Sequence, residues 1–217
     1  MGMFGQTTGS NLRLPKVLGA TAVRTGTVRI SSRQLETILN QIEEATLKAK
    51  ELVAGRSEWE LTTSVESGAW SVAQCLDHLA QTSNAFLPAI SAAITRAPRL
   101  TSNRGLNTGA LTRLFIRNLE PPYRLRFKVL ARLVPRQHDF NSAWDAFAES
   151  QAQLANITKS AAGFAIDLMK IESPVYARFN YNVYGALRML AAHERRHLWQ
   201  IERILKTLDS TPVRNAS

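Results

Sequence analysis

Residues 187–208 read LRMLAAHERRHLWQIERILKTL. Leu187, Leu190, Ala191, Ile201, Ile204, Leu205 and Leu208 recur at intervals of three and four, the period of one buried helical stripe. His193 and His197 stand on seam positions where that period calls for leucine. The spacing predicts a helix from about 182 to 208 that hides two imidazoles. A buried polar group without a partner costs roughly 1–3 kcal/mol, so the rest of the fold must supply something that binds them.

Three further segments carry the same period. Ile30-Ser31-Ser32-Arg33-Gln34-Leu35 reads as a capping box of Ser31 with Gln34 and a staple of Ile30 on Leu35. The helix it opens runs to about Val53 on Leu35, Ile38, Leu39, Ile42, Ala45, Ala49 and Leu52, with Gly55 as its stop. In Trp70-Ser71-Val72-Ala73-Gln74-Cys75, Ser71 caps, Gln74 closes the box and Trp70 packs on Cys75. That helix continues through Leu76, Leu79, Phe86, Ile90 and Ile94 to Pro98, with a kink or break expected at Pro88. A third helix spans about 141–161, with Phe140, Trp144, Phe147, Gln151, Leu154 and Thr158 on one side. Four amphipathic helices with little strand signal predict an all-α four-helix bundle at 30–209, with one long crossover, 97–140, between helices two and three. Residues 1–29 read as a flexible basic tail and 210–217 as a C-terminal tail.

A chain of 217 residues, 45% hydrophobic and 20% charged, fits one soluble domain. No apolar run reaches the roughly 18 residues of a membrane span. One cysteine, Cys75, excludes an internal disulfide framework and, with no secretory h-region in the tail, points to the cytoplasm. The net charge of +10 is unevenly placed: residues 1–35 carry +5 and residues 96–136 carry +9, leaving a mildly acidic remainder of −4. In the crossover, Leu111, Leu114, Phe115 and Leu119 with Arg113 and Arg117 form a short amphipathic helix that Pro121-Pro122 ends. It is placed either to cover the site and attract an anionic substrate, or to meet a membrane surface, nucleic acid or partner protein. Without interleaved stacking aromatics, nucleic acid is the weaker of these.

His78 lies three residues after Cys75, at the border of the second helix's stripe. His193 and His197, one turn apart, can chelate one ion from one helix face, and His78 can add a third nitrogen. Three protein ligands leave a position for water or substrate. Spacing alone equally allows core histidines hydrogen-bonded to Gln151 or to a backbone carbonyl. His193-Glu194-Arg195-Arg196-His197 also satisfies the H-E-x-x-H pattern of zinc proteases. That reading needs a third ligand downstream, where Glu202 and Asp209 are the carboxylates and too little chain remains for a substrate domain.

Trp70-Ser71 with Cys75-Leu76-Asp77-His78-Leu79, taken with Ala192 to Ile201, resembles the two signature stretches of the DinB/YfiT-like superfamily, over roughly residues 31–208. The resemblance implies a metal-binding four-helix bundle with a long connection between helices two and three. It assigns one divalent metal ion to His78, His193 and His197, with zinc or nickel ahead of iron or manganese. It further implies a thiol S-transferase or a hydrolase acting on a small molecule, a low-molecular-weight thiol as co-substrate, and a homodimer. Metal-activated water gives hydrolysis, and a metal-bound thiolate gives thiol transfer. Glu194, about 100° round the helix from His193, is the candidate catalytic carboxylate or an orienting group. Gln200 and Gln151 are candidates to hold the outer imidazole nitrogens. Cys75 reads as a small core residue, His138 as a surface residue, and Trp59, Trp70, Trp144 and Trp199 as core or cap packing. The rival reading is a non-catalytic metal-binding bundle whose basic crossover mediates association.

Overall fold

The computed structural model describes residues 29–123, 129–136, 139–175 and 179–210. The tail readings for 1–28 and 211–217, and that of His138, concern residues outside this set. Four long helices carry the fold: α1 (Ile30–Val53), α3 (Val72–Thr95), α5 (Phe140–Ser160) and α6 (Val183–Ser210). Two short helices, α2 (Glu58–Thr62) and α4 (Ala110–Leu119), lie in the connections. A two-stranded antiparallel ribbon, β1 (Lys170–Glu172) with β2 (Asn180–Asn182), leads into α6 and pairs Ile171 with Tyr181. The helices form the expected bundle, and the ribbon is a minor addition in a link that had shown little strand signal.

Among the long helices, α3 packs on α5 and α6, and α1 packs on α5 and α6. Hence α1 and α3 occupy opposite corners, as do α5 and α6. The long basic connection therefore joins two neighbours, α3 and α5, while the shorter links cross the diagonals. Two apolar clusters fill the interior. One, around Phe86, Ile90, Leu154, Tyr181 and Leu187, lies toward the ribbon; the other, around Cys75, Leu76, Phe147 and Ile201, lies toward the opposite end.

The helix starts show which local signals act. At α3 both bonds of the Ser71–Gln74 capping box form. At α1 the expected box is absent: the helix already includes Ile30, Ser31 is buried inside it, and Ile30 is exposed. Asn103 of the crossover accepts the Ile30 N–H at 2.9 Å, and Gln34 pins Leu106 by accepting from its N–H at 2.6 Å and donating to its carbonyl at 3.2 Å. A tertiary cap has replaced the local one. Asn182 Oδ1 accepts from Gly185 N at 2.7 Å where α6 opens. At Gly185 a Cβ would come within 3.0 Å of both Asn182 Oδ1 and the Thr108 carbonyl, so glycine lets the crossover lie directly on α6.

Pro88 does not break α3. It and Asn84, whose carbonyl loses the usual donor, both lie on the exposed side of the helix, so the missing bond is not buried. In α4 the buried residues are Thr112, Ile116 and Leu119, while Leu111 and Leu114 are 72% and 55% exposed, so the apolar stripe expected there is only partly turned inward. Arg56, just past α1, pairs with Asp209 near the end of α6 and with Glu60 of α2. Trp59 is exposed on α2, contrary to the packing role expected of it.

Candidate metal centre

The α3 capping box sets where the second helix starts, and His78 falls two turns inside it, on the face that meets α6. There its Nε2 lies 3.3 Å from Nε2 of His193, which lies 3.2 Å from Nε2 of His197. All three ligand atoms lie within 4.8 Å of one another, and no carboxylate or thiol joins the cluster among the described residues. A tetrahedral ion with bonds of about 2.0–2.1 Å separates its ligands by roughly 3.3–3.4 Å, which matches the two close pairs.

The outer nitrogens fix the tautomers. His78 Nδ1 donates to the Leu133 carbonyl at 2.8 Å, and His197 Nδ1 donates to Gln200 Oε1 at 3.0 Å. A neutral imidazole has one proton, so these bonds leave each Nε2 a lone pair aimed at the common point. Nε2 of His193 lies 3.2–3.3 Å from both lone pairs and can donate its single proton to only one of them, whereas a cation would complete all three nitrogens at once, and that is the sense in which this donor set fits a metal. Burial holds His78 below the ordinary imidazole range, against the opposing pull of the Leu133 carbonyl and Asp77. Burial, then His78 and Arg196, hold His193 well below it. Burial, His193, His78 and Arg196 do the same to His197, against Gln200. The three rings are therefore neutral at pH 7, the state that ligates.

Trp70, read as core or cap packing, and Asp77, quoted only as a member of a motif stretch, both adjoin the histidines. Trp70 lies against both His78 and His197, with ring centroids at 4.7 and 5.8 Å. Asp77 Oδ2 accepts from Gln81 at 2.6 Å and from Arg136 N at 2.5 Å, which ties down the segment after the 3-10 turn Ala131–Leu133 whose carbonyl orients His78. Position beside a motif histidine was the available signal for Asp77, and position before the cap for Trp70. Gln200 takes the role foreseen for it, while Gln151 instead donates to Glu194 Oε1 at 2.9 Å, across the bundle from α5 to α6. Glu194 is 1% exposed and does not line the cavity beside the histidines. Burial pushes its carboxyl up to about 8, against the Gln151 bond and Arg195. Cys75 is a fully buried core residue whose thiol burial pushes far up, and Asp209 and Glu202 point elsewhere, to Arg56 and Lys206.

The histidines open onto a cavity of about 750 Å³. Phe115 and Leu119 of α4 line it, so the crossover does wall the site, although Arg113 and Arg117 stay exposed. Arg196, buried in the wall, stacks over Tyr123 at 3.5 Å, and Tyr123 meets Trp199 edge-on at 4.9 Å. Trp144 packs on Phe140 and Phe147 away from the cavity. No helix among the described residues is long and apolar enough to cross a membrane.

No curated protein matches the sequence significantly. The fold is similar to the structure of YfiT from Bacillus subtilis, described as a probable metal-dependent hydrolase with an unusual four-helix bundle topology. The TM-score is 0.53 at 15% identity, over 86% of this chain and 94% of that one. The family model of the DinB superfamily matches residues 34–201, which include all three histidines and both motif stretches. The chain belongs to the DinB superfamily.

Proposed function

We propose that His78, His193 and His197 bind one divalent metal ion through Nε2, and that the protein is a metal-dependent enzyme acting there on a small molecule. The observation that carries this reading is the convergence of three neutral imidazoles, two with their outer nitrogens already held, on the wall of a cavity large enough for a substrate. A divalent ion so held lowers the pKa of a water or thiol that shares it. Leu133 and Gln200 keep two rings in the ligating tautomer, Trp70 covers two of them, and Arg196 gives the wall a buried positive charge suited to an anionic group.

Between the two chemistries, hydrolysis stands first, in line with the description of the structurally similar YfiT, and thiol S-transfer with a small thiol co-substrate stands second. Zinc or nickel is the expected ion, and a single buried cysteine suits a cytoplasmic protein. Glu194 faces Gln151 rather than the cavity, so its part in this reading is to position α6 behind His193 rather than to take a proton from substrate.

Elemental mass spectrometry on tag-free protein tests the centre. About one ion per chain is expected, lost in His197→Ala; unchanged metal content in that variant refutes the ligand assignment. Loaded and chelated protein are then compared on simple esters and amides, and on thiols with electrophiles. The exposed Leu111 and Leu114 beside Arg113 and Arg117 favour a second reading, a metal-stabilised bundle that associates through α4, for instance as a homodimer. Metal loss that lowers stability but removes no activity favours that one.

A further inference from the structure

The cavity has two unlike arms. Phe86, two turns beyond His78 on α3, meets Tyr181 at a ring distance of 5.7 Å, so residues past His78 face residues that precede His193. Phe86, Phe115, Leu119, Tyr181 and Met189 make this arm apolar. The opposite arm, beyond His197, holds Gln200, Arg203 and Thr207 of α6 together with Glu66 and Ser67.

Thr82 stands at the mouth of the apolar arm. His78, Thr82 and Phe86 are spaced at four residues and line the cavity in turn. Thr82 is 3% exposed, and its Oγ1 is buried with no hydrogen-bond partner. Several other helical threonines, among them Thr37, Thr46, Thr62 and Thr158, spend this hydroxyl on the carbonyl four residues back. A buried hydroxyl left unmade costs free energy, and rotation between the two χ1 wells open to a helical threonine brings it to the cavity wall, where a ligand can complete it.

We infer that Thr82 is a specificity-determining residue that hydrogen-bonds a polar group of the substrate next to the histidine centre, and that the apolar arm takes a hydrocarbon or aromatic body attached to that group. The substrate class is thus a small amphiphile, with its polar end at the centre and its apolar body along Phe86 and Tyr181. This deepens the enzymatic reading and rests on it for the role of the centre. The arm and the hydroxyl can be probed without any metal.

The probes are linear 1-alkanols of about four to eight carbons, titrated by calorimetry into the full chain, with metal content measured on the same samples. Affinity should rise roughly three- to fourfold per methylene until the arm is full. Thr82→Val, which keeps the shape and removes the hydroxyl, should weaken every member roughly three- to tenfold, and Thr82→Ser should restore binding. The unfolding midpoint of Thr82→Val should be no lower than that of wild type, because the unpaired hydroxyl is removed, and its metal content should be the same, separating lost recognition from lost structure. Affinity independent of chain length, or equal in Thr82→Val and wild type, overturns the proposal. Absence of metal from the wild type overturns the reading of the centre instead, and the alkanol result then decides the arm by the same two criteria.

Discussion

Glu194 and Gln151 meet across the bundle with one oxygen each left over: Glu194 Oε2 and Gln151 Oε1 are both buried without a partner. Two acceptors need a donor, and a protonated Glu194 provides one. The carboxyl, raised by burial to about 8 from an ordinary 4.5, is in that state at neutral pH. Its folded pKa lies above its unfolded pKa, so its contribution is fully present below about 4.5 and declines as pH rises toward 8. Glu194→Gln replaces the acid by an amide that both donates and accepts. In metal-stripped protein this variant should be more stable than wild type by on the order of 3 kcal/mol near pH 7.5, with little difference near pH 4. Urea unfolding at the two values checks it, and a variant no more stable at pH 7.5 refutes the neutral acid. Loss of a measured activity with metal retained would instead return Glu194 to the catalytic role its place in the motif suggested. The imidazoles slope the other way. Their folded pKa values are depressed, so the unfolded chain takes up protons first as pH falls below about 6.5. In the Glu194→Gln background the metal-free protein should lose stability from pH 7 to 5, and a flat response would mean that the rings are not buried neutral.

At the scale of elements, the centre depends on a segment far from it in sequence. Leu133 reaches His78 because Asp77 holds Arg136 N, so the neighbour of His78 fastens the turn that orients its ring. Asp77→Ala removes no ligand but frees that turn, and metal affinity should fall roughly 10- to 100-fold, read by competition with a coloured chelator; affinity within a factor of two of wild type would show that Leu133 is held by other means. Sequence reasoning reached the three clustered histidines because each sits at a definite place on a helix that its own cap and period define. It missed the Leu133 carbonyl because a backbone acceptor 55 residues away carries no side-chain signature. The same limit explains α1. Ser31 and Gln34 have the spacing of a capping box, but Asn103 and Leu106 offer partners that a local pattern cannot announce. Conversely, Ser57 and Glu60 form a complete box on α2 that the sequence displayed and the helical period, too short at five residues, did not bring out.

For the whole molecule, periodicity yields four stripes but not which stripes adjoin, because a helix face is silent about its partner. Placing α1 opposite α3 and α5 opposite α6 puts the histidines of α3 and α6 on adjacent helices, with the Gln151–Glu194 contact across the centre. Apolar packing joins α3 to α6, and in the proposed reading a cation shared by the three imidazoles adds a second junction. An ion held by side chains from two helices binds the folded chain and has no such site in the unfolded one, so it stabilises by mass action. With free metal about a hundredfold above its dissociation constant, that is about 2.7 kcal/mol. For a chain of this size it corresponds to a midpoint shift of roughly 5–11 °C. Thermal unfolding with the ion in that excess, and again after chelation, should differ by this amount in the wild type. His197→Ala, which keeps the packing between α3 and α6 and loses the junction, should show the same midpoint in both conditions. A chelator shift that persists in the variant would place the stabilising ion somewhere other than these three histidines.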